Sequence, residues 1–308
     1  MKKILIIYYS QTGQLKRIVD SVTSSLKKDF ELVFEELKPV PAFPFPWHGM
    51  PFFQAFPESV KEIPCQLEPL KCDPDANYDL VILAYQVWYL SPSIPASAFL
   101  QSEEGRKVLN GKPVITLLGV RNMWIMAQER VKERIAEASG RLAGNIVLAD
   151  PAPNLMSVIT IVRWMMKGEK EPFKKFGIRF PAAGVPEEAI SQASVFGEII
   201  RQSLKEENFK DLQSKLVSAG AVQVDPILFN IEKRGKMMFG IWAKIILRKG
   251  SYNDPVREGR LRLFKYYLFA VIYLISPFVM AIFRLVFRIN VKAGRRIVER
   301  YNSIGMES

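Results

Sequence analysis

The sequence predicts an α/β fold, a doubly wound parallel sheet of five strands with helices on both faces. Five short apolar segments alternate with helical segments over the first two-thirds of the chain, a pattern typical of such sheets. The third segment, Asp79–Ala84, is almost continuously apolar, as expected for a strand that is buried on both faces. In these folds ligands bind where the carboxyl ends of neighbouring strands meet.

The elements follow one another in a regular order. The predicted strands are Lys3–Tyr9, Phe30–Leu37, Asp79–Ala84, Pro113–Leu118 and Asn145–Ala149, which are β-rich apolar runs bounded by polar or glycine-containing turns. The predicted helices are Gly13–Lys28, Trp124–Ala138 and Pro186–Lys205. Apolar residues recur on one side of the first helix, and two glutamates suit the amino-terminal dipole of the last.

Two segments interrupt this alternation, and an extension follows it. Residues 39–74 are dense in proline and aromatic residues, so helix or strand is not expected throughout. Residues 151–185 contain an apolar helix candidate, Leu155–Met166, which fits equally a core position and a position along a ligand route. We therefore predict a domain over residues 1–207 with two insertions, followed by a helical, basic extension over residues 208–308.

Positive charge is concentrated near the end of the chain. The 308 residues carry a formal net charge of +12, and residues 226–308 hold sixteen Lys and Arg against five Asp and Glu, a net of +11. The basic character therefore belongs to the extension and not to the whole protein. Two cysteines are too few for a disulfide scaffold, and the first apolar run, Ile4–Tyr9, is too short for a signal peptide. These features predict a cytoplasmic protein.

A polar turn separates the first strand from the first helix. Its residues are Ser10, Gln11, Thr12, Gly13, Gln14 and Leu15. A helix amino terminus offers free N–H groups and a positive dipole to an anion, and Gly13 lets a phosphate approach closely. The glycine-rich signatures of nucleoside triphosphate and dinucleotide sites are absent. The turn predicts a phosphate site, with an ordinary Ser/Thr helix cap as the alternative.

Two later loops end at the same predicted edge of the sheet. Their candidate residues are Gln86, Val87, Trp88 and Tyr89 after the third strand, and Gly119, Arg121 and Asn122 after the fourth. Aromatic faces and amide groups suit a planar heterocycle such as isoalloxazine, and Arg121 suits an anionic reduced flavin. Alternatively, Arg121 pairs with a carboxylate such as Glu129, and Trp88 and Trp124 belong to the core.

These loops carry a resemblance to known proteins. The first turn resembles the S/T-x-T-G loop of flavodoxin-like proteins, which implies FMN as cofactor, with its phosphate at the turn and its ring between the later loops. A narrower similarity, to the bacterial dialkylresorcinol condensing enzyme family, covers residues 8–15, 83–92 and 119–124 and continues through Phe45-Pro46-Trp47, Trp164-Met165 and Ile241-Trp242-Ala243. This resemblance implies oxidation of a dialkyl cyclic dione to a resorcinol in flexirubin-type pigment synthesis, beside a separate ketosynthase-like partner.

Condensation itself is not expected of this chain. A ketosynthase needs a nucleophilic cysteine with histidine partners, whereas this chain has two cysteines and one histidine, His48. The C-x6-C spacing fits no usual metal site. The first candidate for the base that the oxidation needs is His48, since a histidine has an ordinary pKa of about 6.5. The alternative is that His48 is a surface or packing residue. Tyr85 and Tyr89 are the other candidates.

The extension contains an apolar run, Tyr266–Phe283, of eighteen uncharged residues with basic flanks on both sides. As a helix it would be roughly 27 Å long, at the margin for crossing a bilayer, and Ser276-Pro277 is expected to kink or break it. Charge on both sides favours a kinked or hairpin segment in one leaflet over a spanning helix. We expect residues 226–308 to bind the inner membrane surface as a peripheral or monotopic element; the alternative is a buried helix.

Other functions remain open. A membrane-associated NAD(P)H:quinone reductase or an electron-transfer flavodoxin shares the fold and cofactor, although the two insertions argue against a carrier, which needs an exposed flavin edge. A non-catalytic scaffold for a ketosynthase partner is a further alternative, and a homodimer is compatible with the sequence. Nucleic acid binding is not expected, because the basic residues flank an apolar run instead of forming a basic face.

Overall fold

The computed structural model describes residues 1–289 and 291–304 of the chain. A parallel sheet lies at its centre, formed by β1 (Lys3–Tyr8), β2 (Glu31–Glu36), β3 (Leu80–Tyr85), β4 (Pro113–Val120) and β5 (Arg141–Ala149). The strand order is β2-β1-β3-β4-β5, and every neighbouring pair is parallel. This is the order of flavodoxin-like doubly wound domains, so the predicted fold class is confirmed.

Helices connect the strands and form the extension. They are α1 (Gln14–Thr23), α2 (Met50–Lys61), α3 (Ile94–Gln101), α4 (Glu103–Leu109), α5 (Ile125–Glu137), α6 (Asn154–Lys167), α7 (Glu187–Gln192), α8 (Ser194–Lys205), α9 (Leu212–Ser218), α10 (Pro226–Leu247), α11 (Glu258–Ala270), α12 (Ser276–Ile289) and α13 (Val291–Asn302). Short antiparallel pairs join Pro39–Val40 with Gln66–Leu67, Val87–Trp88 with Ser91–Pro92, and Phe173–Lys175 with Ile178–Phe180.

Some helices differ from the sequence prediction. The predicted helix Pro186–Lys205 consists of α7 and α8, which meet at Ala193. Between β3 and β4 the chain forms α3 and α4, where the sequence analysis assigned no helix. The reason is burial: α3 is buried along almost its whole length, so its residues lack the apolar-to-polar period that identifies a surface helix.

The main core lies between the sheet and the helices packed on its two faces. Residues 4–7 of β1 are fully buried, and α1 contributes Leu15, Ile18, Val19 and Val22 to the same core. Helix α9 packs on β5, and its Leu212 and Leu216 are also fully buried. The core of the sheet domain therefore continues beyond residue 207, through α9.

The extension is attached to the first insertion by a buried ion pair. Arg257, immediately before α11, is fully buried, and its Nη1 lies 2.5 Å from Oε1 of Glu58 on α2. Its Nε donates to Oε1 of Gln54 at 2.7 Å. A buried charge whose partner is removed is strongly destabilising, so this contact fixes the start of the apolar helix against α2.

The apolar run continues as a helix through Pro277. Helix is continuous from Pro255 to Phe287 with mean hydropathy 2.2 in its most apolar window, and none of that window is buried. The predicted break or hairpin at Ser276-Pro277 is wrong. A π-helical turn at Val271–Ile275 directly precedes Ser276-Pro277. Proline has no backbone N–H to donate, and the π-helical turn accommodates this missing hydrogen bond without ending the helix. A buried position for this run is also wrong.

We predict that Gly197→Ala destabilises the fold. Gly197 lies on α8 where that helix crosses α1, and a methyl group there would overlap the carbonyl oxygen of Val22. Overpacking of this kind lowers the free energy of unfolding by about 1–3 kcal/mol, measurable by urea denaturation. The matched control is Gly259→Ala on α11, where the added methyl group meets nothing within 4 Å. An equal loss of stability in both variants would contradict the prediction.

Candidate functional site

The three predicted loops meet at the carboxyl edge of the sheet around a pocket of about 200 Å³. The backbone N–H of Gln11 in the first loop donates to Oε1 of Gln86 in the second at 3.2 Å. The predicted residues that line the pocket are Thr12, Gln14, Leu15, Gln86, Val87, Trp88, Tyr89, Gly119 and Arg121. Strand order therefore assembles the loops as the sequence analysis expected, because β1, β3 and β4 are neighbours.

Two hydroxyl groups in the first turn cap helix α1. The N–H of Lys16 donates to Oγ of Ser10 at 3.1 Å, and the N–H of Gln14 donates to Oγ1 of Thr12 at 3.4 Å. The side chain of Lys16 bonds to Asp20 on its own helix. The turn thus contains helix-capping hydroxyls without a cation directed at them.

Four N–H groups of the same turn remain free, those of Ser10, Thr12, Gly13 and Leu15. Within the described residues, these backbone N–H groups donate to no protein group. Gly13 has a φ of +79°, which favours glycine, and a Cβ atom on it would meet nothing within 4 Å. Open space beside free N–H groups at a helix amino terminus is the arrangement that binds an anion.

Two glutamines of the turn connect it to both insertions. Gln11 donates from Nε2 to the carbonyl of Pro44 at 2.8 Å and accepts a hydrogen bond from the indole of Trp47 at 3.3 Å. The side-chain amide of Gln14 makes two hydrogen bonds of 3.1 Å with the backbone of Val185. The sequence analysis placed both glutamines at the phosphate; their side chains instead hold the insertions against the turn.

Aromatic rings form one wall of the pocket. The rings of Trp47 and Trp88 lie 5.4 Å apart and nearly perpendicular, and Phe52 packs edge-on against Trp47 at 5.9 Å. All three line the pocket, and Trp47 is only 2% exposed. Trp124 is buried and does not line the pocket, which agrees with the alternative that it belongs to the core. Trp47 and Phe52 come from the first insertion and were not predicted, because a proline-rich segment gives no periodic signal.

Helix α6 of the second insertion forms another wall of the pocket. Its residues Ile161, Val162, Trp164 and Met165 line the pocket, and the carbonyl of Met165 accepts the backbone N–H of Trp47 at 2.9 Å. The predicted helix Leu155–Met166 thus lies beside the ligand space instead of within the main core. The two insertions are bonded to each other across the site.

Arg121 brings positive charge to the pocket without a carboxylate partner. Its Nη1 donates to Oδ1 of Asn154 at 2.7 Å and to the carbonyl of the same residue at 3.2 Å. Burial lowers the pKa of Arg121 to about 10, so it stays protonated at neutral pH. Across the described chain no carboxylate lies within 4.0 Å of it, and Glu129, the suggested partner, pairs with Lys132.

Asn122, the next residue, does not line the pocket. Its Nδ2 donates to Oδ1 of Asn154 at 3.0 Å, the same oxygen that accepts from Arg121. Its own Oδ1 is buried and has no hydrogen-bond partner in the described structure. Asn154 was not predicted, and it organises both loop residues from the start of α6.

The predicted proton acceptors are not arranged for that role. His48 is exposed on the loop before α2 and does not line the pocket. Tyr85 does not line the pocket either: it is fully buried, and its hydroxyl donates to Oε1 of Gln128 at 2.7 Å. Neither of these two side chains therefore faces the pocket. Tyr89 lines the pocket but donates its hydroxyl to the carbonyl of Phe52 at 2.7 Å, and burial raises its pKa well above the ordinary value.

Two charged residues of α10 dock the extension beside the pocket loops. Glu232 is 1% exposed and accepts the N–H of Met126, at the start of α5, at 2.8 Å. Lys236 donates to Oγ of Ser91 at 2.5 Å. Burial raises the pKa of Glu232 to about 7 and lowers that of Lys236 to about 8. Neither was predicted, because both lie within a basic segment that resembles a solvated surface.

Comparison with known proteins gives matches among solved structures. A flavoprotein from Lactobacillus acidophilus in complex with FMN is 20% identical, with a TM-score of 0.40 and coverage of 48% of this chain and 93% of its own. An archaeal flavodoxin is 11% identical, with a TM-score of 0.36 and coverage of 67% and 99%. The FMN-bound flavodoxin of Fusobacterium nucleatum is 16% identical, with a TM-score of 0.33 and coverage of 67% and 96%. No protein-family model and no curated protein matches the chain.

We predict that Glu232→Gln makes the protein more stable than the wild type at neutral pH. The carboxyl of Glu232 titrates near 7 in the fold against an ordinary 4.5. The folded protein therefore holds this proton more tightly than the unfolded chain does, and the free energy of unfolding of the wild type falls as pH rises from 4.5 to 7. The variant has no carboxyl group to titrate here, so it does not lose this stability. The difference in free energy of unfolding between variant and wild type should therefore grow from pH 4.5 to pH 7, to roughly 2–3 kcal/mol. Urea denaturation across the pH range measures it.

The exposed Glu206→Gln variant is the control for the general effect of removing one negative charge. Its difference from the wild type should stay nearly constant between pH 4.5 and 8. A difference for Glu232→Gln that is equally flat would contradict the prediction.

Proposed function

We propose that the chain is an FMN-dependent oxidoreductase that aromatises a lipophilic cyclic dione to a resorcinol at a membrane surface. The observation that carries the proposal is the pocket in which the turn with free N–H groups, the aromatic wall and the unpaired Arg121 face one space. The resemblance of the three loops to dialkylresorcinol condensing enzymes supplies the substrate class. The flavodoxin-like strand order supports the choice of cofactor.

The residues present fit FMN. The free N–H groups of Gly13 and Leu15 suit its phosphate, and the rings of Trp47 and Trp88 suit its flat heterocycle. Arg121 suits the negative charge that a flavin acquires on reduction. When bound, FMN supplies an acceptor for a hydride. The neighbours that hold FMN are consistent with this choice.

The enclosure of the pocket favours an enzyme over an electron carrier. Trp47 from the first insertion and Trp164 from α6 are 2% and 7% exposed, and both line the pocket. A carrier protein exchanges electrons through an exposed ring edge, whereas these side chains from both insertions cover part of the space. Exclusion of water also strengthens the electrostatic effect of Arg121 on a bound anion.

The reaction can proceed without a basic side chain in the pocket. A cyclic 1,3-dione is acidic at the carbon between its carbonyls, so it releases that proton to water and enters as the enolate. Arg121 pairs with an enolate oxygen and orients the ring. Water next removes a proton from the ring carbon on the outer side of one carbonyl and returns one to the carbon between the carbonyls, so that the enolate lies beside the carbon that gives up the hydride. Loss of the hydride from that carbon leaves a neutral ene-dione, which becomes the resorcinol by moving protons from carbon to oxygen. Among the described lining residues, the titratable side chains are Tyr89 and Arg121.

The exposed face of the apolar helix supports a position at a membrane. Leu274, Phe278 and Ile282 are exposed to 66%, 73% and 61%, and such an apolar surface marks a protein or membrane contact. The same helix reaches the site, because Nδ2 of Asn154 lies 3.7 Å from Sδ of Met280. A dione with alkyl chains would therefore have a short route from the bilayer to the pocket.

We predict that a dialkylcyclohexane-1,3-dione bleaches the FMN-loaded protein in the absence of oxygen. Arg121→Met should slow bleaching by about 10²–10³-fold, because it removes the charge that holds the enolate. Stopped-flow absorbance of the visible flavin band measures the rate. Arg141→Met, an exposed substitution at the amino end of β5, is the control and should leave the rate unchanged.

Two results would contradict the proposed reaction. Loaded protein that the dione does not bleach would exclude this substrate class. Rapid bleaching by NAD(P)H followed by reoxidation with a quinone, and none by the dione, would identify the quinone reductase alternative.

We predict that the exposed face of α11–α12 drives binding to phospholipid vesicles. Replacing Leu274, Phe278 and Ile282 together by Gln should weaken co-sedimentation on the order of a hundredfold, because three exposed apolar side chains lose their transfer to lipid. The control is Val195→Gln on α8, also an exposed apolar residue at 52%. Equal co-sedimentation of the triple variant and the wild type would contradict a membrane role for this face.

A further inference from the structure

The second insertion contains a short hairpin with an exposed aromatic tip. Phe173–Lys175 pairs with Ile178–Phe180, and Phe176 at the turn is 89% exposed. Ile178 beside it is 50% exposed. Neither side chain contributes to the pocket or to a core, so folding of the domain does not account for them.

The backbone of this turn is also unfavourable for an aromatic residue. The two residues between the paired Lys175 and Ile178 are Phe176, with φ +51°, and Gly177, with φ +76°. Two-residue turns of this kind favour Asn-Gly, because asparagine and glycine tolerate positive φ. Phenylalanine there is both strained and exposed, and such outliers concentrate at functional positions.

The base of the hairpin holds the tip outward. The rings of Phe173 and Phe180 stack at 4.7 Å with an interplanar angle of 9°. The guanidinium of Arg163 on α6 lies 4.2 Å from the centre of the Phe173 ring. The tip is therefore presented from a packed base that contacts α6.

Positive charge surrounds the tip. Lys174, Lys175 and Arg179 are exposed, and in the described part of the chain none has a carboxylate within 4.0 Å. The ammonium of Lys175 lies 5.3 Å from the ring of Phe176. The hairpin itself contains no acidic residue. An aromatic tip among unpaired cations is complementary to an anionic lipid surface, where rings settle at the headgroup level and cations meet phosphates.

We propose that this hairpin tip inserts into the interface of an anionic bilayer as a second membrane anchor. The inference rests on the membrane position proposed above and specifies how the site is oriented. Helix α6 begins at Asn154, beside Met280 of the apolar helix, and ends next to the hairpin, roughly 21 Å further along its axis. The helix that lines the pocket therefore runs between two proposed lipid contacts, so that both of its ends lie near the bilayer.

Two variants of the full-length protein distinguish the contribution of the aromatic side chain to vesicle binding from that of the basic side chains. Phe176→Asn suits the positive φ, so the thermal midpoint should stay equal or rise while vesicle partitioning falls about tenfold. Replacing Lys174, Lys175 and Arg179 by Gln should weaken binding to equimolar phosphatidylcholine and phosphatidylserine on the order of a hundredfold. On phosphatidylcholine alone, that triple variant and the wild type should bind alike.

An environment-sensitive dye tests insertion directly. It is attached at Phe176→Cys in a chain with Cys65→Ser and Cys72→Ser, and its emission should shift to the blue with anionic vesicles. The control dye at Asn110→Cys, on the loop before β4 at the opposite edge of the sheet, should not shift.

Binding of this labelled protein to vesicles without a shift at residue 176 would overturn the second anchor and leave the membrane position intact. Absence of vesicle binding by the unlabelled wild type would overturn both. Equal shifts with neutral and anionic vesicles would contradict recognition of anionic lipid, and binding to an acidic protein alone would assign the hairpin to a different partner.

Discussion

The carboxyl ends of β1, β3 and β4 lie side by side because these strands are adjacent in a parallel sheet with the order β2-β1-β3-β4-β5. Right-handed crossovers return each helix to the sheet face, so every loop that leaves these strands opens at the same edge. The buried apolar run of β1 holds the first turn at the start of α1, where N–H groups stay free. The candidate chemistry depends on that convergence.

The two insertions turn this open edge into a half-enclosed pocket, and the extension docks beside it. Gln11 and Gln14 bind the insertions to the first turn, and the backbone of Trp47 bonds to α6 across the space. The extension is fixed in turn by the buried Arg257–Glu58 pair and by Glu232 at the start of α5. These attachments cover part of the edge that the sheet domain alone would leave open, and for this reason we propose a small lipophilic substrate and not an electron-carrier role.

The sequence predicts the positions of strands and loops well where the local pattern of apolar residues and the order of the strands lead to the same placement. The strands, the phosphate turn and the two later loops follow from apolar runs and from strand adjacency, and Arg121 was identified by its place in a loop. His48 and Tyr85 were chosen by chemical type alone, and exposure of the first and burial of the second depend on tertiary packing. Asn154, Trp47 and Glu232 came from irregular or basic segments, where no period reveals which side chains face the site.

The central claim is that the turn after β1 binds the phosphate of a flavin nucleotide. Titration of the purified protein with FMN and with riboflavin, followed by quenching of flavin fluorescence, compares two ligands that differ by this group. Charged hydrogen bonds from free N–H groups predict that FMN binds more tightly on the order of a hundredfold. Equal affinity for the two flavins, or no binding of FMN, would contradict the account.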